Sequence, residues 1–276
     1  MTEMMTEHTR DESQQIQPPI RRVVVALDAS PCSRAVLRSA ARIAAGLNIQ
    51  LEGLFVEDVR LLDLAELPIA AEVRTPGGVR PFNRSLAERE LGLVAQTVEK
   101  WAGQIARSYK AEWHFQVVRG DVAQSVMEAA GPGALLSLGR FGNPIYTRSR
   151  GMGSVARRVL GEHQKPLLLL HREIRPGQPI LLITSGAVEE LPLVAMAVRL
   201  SQVYTSPLIV LTENPAAEAF LAAALADQPQ TVSFHRLESG NLAVQIFAHS
   251  RGRGGIVLSH RRDAELAESE CALLLL

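Results

Sequence analysis

Hydrophobic and polar positions along the chain alternate between two periods. Residues 23–27, VVVAL, form a continuous apolar run rich in β-branched side chains, the pattern of a strand covered on both faces. The turn Asp28-Ala29-Ser30-Pro31 follows. Val36, Leu37, Ala40 and Ile43 then fall on one helical stripe, while Arg34, Arg38 and Arg42 recur four apart on another. The pattern predicts a strand feeding an amphipathic helix, Gly46 as the helix C-cap, and a second strand over 51–56. An excursion over 57–82 contains a short helical piece broken by Pro76, Gly77 and Gly78, and helical spacing resumes from about Ser85 to Ser108. Strands at 114–118, 134–138 and 167–170 then alternate with helices at 122–130 and 154–162.

From residue 179 the order begins again. Strands at 179–185, 207–212, 231–237, 255–260 and 272–276 alternate with helices at 189–204, 216–226 and 241–250. Such alternation requires right-handed crossovers and a parallel sheet with helices on both faces. The expected fold is therefore α/β: two tandem doubly wound, Rossmann-like domains, each with a mostly parallel five-stranded sheet. Their expected bounds are 20–172 and 179–276, with a linker at 173–178 and a disordered polar tail at 1–19. The closing leucines, 273–276, make sense as a terminal strand, buried in its domain or added across an interface.

Composition narrows the classes of function. Apolar residues make up 47% and aromatics only 4%, so the core must be built from Leu, Val, Ile and Ala. Lys plus Arg and Asp plus Glu balance at 29 each, which gives no footprint for a polyanionic partner. The arginines near 140–150 lack interleaved aromatics apart from Phe141 and Tyr146, so a nucleic-acid partner is not expected. The first 19 residues contain no apolar stretch, and no window approaches 18 consecutive apolar residues, so neither a signal peptide nor a membrane span is expected. Cys32 and Cys271 stand far apart with no metal spacing, as in a reducing compartment. A cytoplasmic location follows as an expectation.

In an open parallel sheet, ligands bind beyond the C-terminal ends of the strands, where helix N-termini present unpaired amides. Two connections of the first half fit. One is Asp28-Ala29-Ser30. The other runs from Gly139 through Gly142, Arg148 and Arg150 to Gly153 and Ser154, directly before a helix. Glycines let an anion approach the backbone, Ser154 as N-cap adds a hydroxyl, and Arg140, Arg148, Arg150 and Arg157 supply charge. The same residues also suit a plain solvated turn. Asp28 has two readings, a cap for the following helix or a ligand for ribose hydroxyls or a phosphate-bridging cation. The excursion over 57–82 is either one more packed helix or a lid or partner surface.

The blocks VVVALDASPCSRAVLRSAARIAAGLNIQLEGLFV, VVRGDVAQSVMEAA and LLSLGRFGN…GMGSVARRVLGEHQKPLLLL resemble successive parts of the universal stress protein family over residues 20–172. The resemblance implies an adenine nucleotide alpha hydrolase-like fold and a stress-response regulator that binds ATP, with or without Mg²⁺. ATP-binding members carry a Gly-x2-Gly-x9-Gly-Ser/Thr signature, onto which Gly139, Gly142, Gly153 and Ser154 map, and a branch lacking it does not bind ATP. Ten residues instead of nine separate Gly142 from Gly153, and Ala29 stands where many relatives have glycine. The other ligand positions implied are Asp28, the main chain of Val56 beside the adenine, and Val155. The second half resembles the fold more faintly. It lacks the acid after its first strand and the glycine loop after its fourth, so ATP is not expected there in the same way.

The resemblance further implies an intramolecular pseudo-dimer of the two halves through their last strands, with Leu167–Leu170 and residues 272–276 as interface candidates or else as ordinary buried edge strands, and leaves room for a homodimer. The alternative is a nucleotide-free scaffold or protein-interaction module of the same fold. No HExxH, GxSxG, GxxxxGK(S/T) or GxGxxG motif occurs, and the seven histidines have no metal spacing, so at most weak ATP hydrolysis is expected and no catalytic residue is named.

Overall fold

The computed structural model describes residues 20–67, 71–74, 77–141, 152–226, 228–238, 240–250, 254–260, 266, 269 and 271–276. The first half runs β1 (Arg22–Leu27), α1 (Pro31–Leu47), β2 (Gln50–Asp58), α2 (Val59–Ala65), β3 (Ala71–Arg74), β4 (Gly78–Pro81), α3 (Arg84–Ser108), β5 (Trp113–Gly120), α4 (Val122–Ala129), β6 (Ala134–Gly139), α5 (Ser154–Glu162) and β7 (Leu167–Leu170). The second runs β8 (Ile180–Ile183), a 3₁₀ turn over Val188–Glu190, α6 (Leu191–Val203), β9 (Leu208–Thr212), α7 (Pro215–Ala224), β10 (Val232–Arg236), α8 (Leu242–Ser250), β11 (Ile256–Ser259) and β12 (Ala272–Leu275).

Ten of these strands form one sheet in the order β10-β9-β8-β11-β12-β7-β6-β1-β2-β5. Counted within its half, each set of five follows the order 3-2-1-4-5, so the sheet reads the same from either end. Every neighbouring pair is parallel except one. Where the halves meet, β12 runs antiparallel to β7, with Leu273 opposite Leu169, Leu274 opposite Leu168 and Leu275 opposite Leu167. The two leucine runs read as interface candidates therefore pair with each other. They are apolar throughout because the sheet is covered on both faces. Leu168, Leu170 and Leu274 enter the core beneath α1, α3 and α6, whereas Leu167, Leu169, Leu273 and Leu275 enter the core beneath α4, α5 and α8.

Helix α1 begins where the sequence provides a cap. Ser30 Oγ accepts from Ser33 N–H (3.2 Å) and Pro31 occupies the first turn, where its missing N–H costs nothing. The helix ends at Asn48, in the left-handed conformation at φ 54°, and not at Gly46. Gly46 serves packing instead. A Cβ there would lie 2.4 Å from Val203 Cγ2, so the missing side chain lets α1 and α6 of the two halves touch. Two arginines of the α1 stripe also meet aromatic rings. Arg34 stacks over Trp101, and Arg42 lies between Tyr109 and Tyr204, at 5.4 and 5.8 Å from their ring centroids. Tyr204 is fully buried and donates to Ser39 O (3.3 Å), while Ile174 N–H donates to Ser39 Oγ (3.0 Å).

The excursion resolves into α2 and a β3–β4 hairpin, the latter not anticipated from its glycine-broken pattern. Leu62 and Ala65 of α2 pack on Ala87 of α3 in a small separate core, which makes α2 an added helix on the side of the domain.

Substituting Gly46→Val should lower stability by about 1–3 kcal/mol by overpacking this seam, and adding Val203→Ala should recover part of the loss. Chemical denaturation of the three variants checks the coupling.

Candidate functional site

The site is set by where strand order reverses. Strands β1 and β6 are parallel neighbours, yet their following helices lie on opposite faces, so the connections after them diverge and leave a crevice at the sheet's C-terminal edge. The connection after β1 is a tight turn held by Asp28. Its carboxylate accepts from Ser30 N–H (2.9 Å) and from the Ser33 hydroxyl, whose oxygen in turn accepts from Asp28 N–H (2.9 Å). Ser30 is thus the cap of α1, and Asp28 organises the turn that presents it. The Asp28 side chain remains exposed at the crevice.

The second connection closes on itself at its base. Arg140 N–H donates to Leu170 O (2.6 Å), extending the β6–β7 ladder, and Arg140 O accepts from Gly153 N–H (2.9 Å). The two ends of the glycine segment are thereby pinned together. Gly142, Arg148 and Arg150 lie outside the described residues. Gly139 needs its hydrogen: a Cβ would stand 3.1 Å from Cys32 Sγ and 3.2 Å from Phe141 O. This contact brings the end of β6 against the first turn of α1. Cys32 is correspondingly sheltered, and its thiol is raised above the usual range by burial and by the Asp28 carboxylate, with a hydrogen bond from the Phe141 backbone opposing.

At the far end of the segment, Gly153 and not Ser154 is the N-cap of α5, and among the described residues no side chain caps this helix. Ser154 is the first helical residue and is exposed. The first intrahelical bond is Arg157 N–H to Gly153 O (2.9 Å), so the amides of Ser154, Val155 and Ala156 precede it. A helix start whose amides carry no side-chain cap is a locus of positive potential. Val56 lies level with these groups. Strand β1 stops opposite Phe55, while β2 continues through Val56 to Asp58 paired with β5 alone. The structure therefore gathers Asp28, Val56, Gly139, Gly153, Ser154 and Val155 around the C-terminal edge of β1, β2 and β6.

Of the arginines expected to supply charge, Arg140 does not behave as the sequence suggested. Arg140 is only 4% exposed and turns away from the crevice, donating to the carbonyls of Ser269 and Cys271 (the latter at 3.3 Å) just before β12. Its Nε is buried without a partner, and burial pulls its pKa below the ordinary arginine range. Arg157 donates to Met152 O (3.2 Å). Local sequence gave no signal for Arg140, because its acceptors are main-chain carbonyls some 130 residues away (Ser269 at a separation of 129).

The sequence matches no family model and no curated protein. Among solved structures it is similar to a universal stress protein from Archaeoglobus fulgidus, with a TM-score of 0.67 and 14% identity over 92% of this chain and 95% of that one. A functionally unknown protein from Pseudomonas aeruginosa aligns over 95% of this chain and 93% of its own, with a TM-score of 0.59 and 16% identity. This chain has the universal stress protein fold. The similarity extends over both halves, so the second half shares in it although its loops differ from the first. In this universal stress protein fold, β11 ends at Ser259 and is followed by His260, whose Nδ1 lies 2.6 Å from Leu276 O. Among the described residues no group of three or more metal-ligating side chains occurs, and no helix is long and apolar enough to cross a membrane.

Two outcomes follow from these contacts. Asp28→Asn should lower the Cys32 pKa and so speed its alkylation by iodoacetamide at neutral pH, read by mass spectrometry. Arg140→Ala should cost about 1–3 kcal/mol by removing the buried bonds to the Ser269 and Cys271 carbonyls, measured by denaturant titration.

Proposed function

We propose that the N-terminal half binds an adenine nucleotide, ATP with or without Mg²⁺, and that the protein acts as a stress-response regulator whose state follows that occupancy, without efficient catalysis. The observation that carries this reading is the start of α5, capped by no side chain among the described residues, beside Gly139 and the Asp28 turn. Three consecutive amides at Ser154, Val155 and Ala156 suit phosphate oxygens. The absence of a Cβ at Gly139 keeps the crevice floor low, although Cys32 and Phe141 define how low. Asp28 has acceptor capacity beyond its two bonds, enough for ribose hydroxyls or for one contact to a phosphate-bound Mg²⁺. Main-chain groups of Val56, beyond the reach of β1, suit the edge of a purine. At most weak ATP hydrolysis belongs to this reading, and no catalytic residue is named for it.

Residues 20–172 and 179–276 are read as two domains forming an intramolecular pseudo-dimer, with 173–178 as the linker. The mirrored strand order and the antiparallel β7–β12 contact support this, since a two-fold rotation between like sheets brings their last strands together antiparallel. With β7 and β12 spent on each other, a homodimer would have to use another surface.

A second reading, a nucleotide-free scaffold, is favoured by one observation: Arg140, the arginine nearest the end of β6, is committed to the opposite half instead of to the crevice.

Native mass spectrometry of the purified protein, followed by titration with ATP and Mg²⁺, separates the two. Wild type should retain ATP or bind it at micromolar concentration, and Gly153→Ala/Ser154→Ala should lose it. The φ of −60° at Gly153 suits alanine, so the variant should fold. No binding by wild type at millimolar ATP would establish the scaffold, and the same spectra report whether chains associate.

A further inference from the structure

The second half contains a cavity of about 390 Å³ at the C-terminal ends of β8, β9 and β10. That lies within the roughly 300–1,000 Å³ of small-molecule sites. Ile183 and Leu237, with Pro215, provide its apolar wall, and Thr184, Ser185, Glu190, Glu213 and Asn214 its polar rim. Its place in the half corresponds to the crevice edge of the first half, but its chemistry is inverted.

The inversion lies in where the hydrogen-bond donors go. At the end of β8, the Glu190 carboxylate accepts from the Thr184 hydroxyl, from Ser185 N–H (2.7 Å) and from the Ser185 hydroxyl (3.0 Å). These are the donors an incoming anion would require. The helix start at the cavity is closed as well. Pro215 brings no N–H to the first turn of α7, Asn214 Oδ1 accepts from Ala216 N–H (3.0 Å), and Asn214 Nδ2 donates to Ser185 O (3.3 Å). The Thr184 and Ser185 donors are thus spent on Glu190, and the rim presents two carboxylates. A carboxylate offers roughly four lone-pair directions, so Glu190 retains room for a further donor beyond the three it already accepts. Burial raises the Glu190 pKa, but the bonds from Thr184 and Ser185 and the nearby His260 more than offset it and hold the group below the usual carboxylate value, hence ionised. Glu213 places a second carboxylate on the rim.

We infer that this cavity binds a small organic cation, an ammonium compound with an apolar body, whose charged end meets Glu190 while its apolar part lies against Ile183 and Leu237. Anions are disfavoured because the cavity would confront them with the Glu190 and Glu213 carboxylates. Neutral analogues lose the ionic contact and retain only the apolar one. The site is independent of nucleotide binding in the first half.

The test uses the full chain and three matched probes: phenethylamine, 2-phenylethanol and 3-phenylpropionate. Isothermal titration and ligand-observed NMR should show phenethylamine binding, weakening as salt is raised, with 2-phenylethanol roughly tenfold weaker and 3-phenylpropionate not bound. Glu190→Gln should weaken phenethylamine roughly tenfold and abolish its preference over the alcohol. Leu237→Trp, which fills the cavity without touching the carboxylates, should abolish binding of both. Gly153→Ala/Ser154→Ala should leave phenethylamine binding unchanged, which separates this site from the nucleotide reading. Equal binding of the three probes, tighter binding of the propionate, no phenethylamine binding at millimolar concentration, or binding indifferent to Leu237→Trp would each overturn the inference.

Discussion

The antiparallel pairing of Leu273–Leu275 with Leu167–Leu169 is the constraint on which the rest of the molecule depends. It turns two five-stranded sheets into one of ten strands and removes the two edges that would otherwise expose unpaired backbone. Each leucine in the pair is essentially unexposed, so the seam is as dry as the interior of either half. The contacts on the two faces are consequences of that alignment. On one face Gly46 meets Val203, Tyr204 reaches Ser39, and Arg42 lies against Tyr204. On the other, Arg140 crosses to the carbonyls preceding β12.

The Arg140 contact ties the candidate nucleotide loop to this seam. Its main chain pins both ends of the glycine segment, at Leu170 and at Gly153, while its side chain is anchored in the other half. A buried arginine with an orphaned Nε is an expensive group to keep. Its return is geometric: the end of β6, the start of α5 and the approach to β12 share one residue. Movement of the loop would be felt at β12, and the reverse, through a single side chain.

The halves share strand order but diverge in how they treat the amides at the ends of their strands. After β1, Asp28 takes one amide and one hydroxyl, and the nearby α5 start carries no side-chain cap among the described residues. After β8, Glu190 takes the equivalent polar groups entirely, and Pro215 with Asn214 closes the adjoining helix start. One scaffold thus holds a donor-rich edge and an acceptor-rich edge. The difference is made by a few side chains at fixed topological positions, in keeping with function residing in sites and not in the fold itself.

The sequence by itself determined the order of the elements, because buried parallel strands and amphipathic helices impose periods that local residues cannot hide. VVVAL, the four-leucine run at 167–170 and the closing leucines show this, and α5 begins at Ser154 as its pattern predicts. It also pointed to the connections after β1 and β6. What it misjudged were terminal details a single hydrogen bond decides: Asn48 and not Gly46 ends α1, and Gly153 stands where Ser154 was expected, while of the two readings open for Asp28 the capping one falls to Ser30. Only the tertiary structure decided the destination of Arg140, the function of Gly46 as a contact point, and the enclosure of the cavity beside Glu190. Each depends on groups brought together from distant parts of the chain, and such meetings leave no periodicity in the residues that make them.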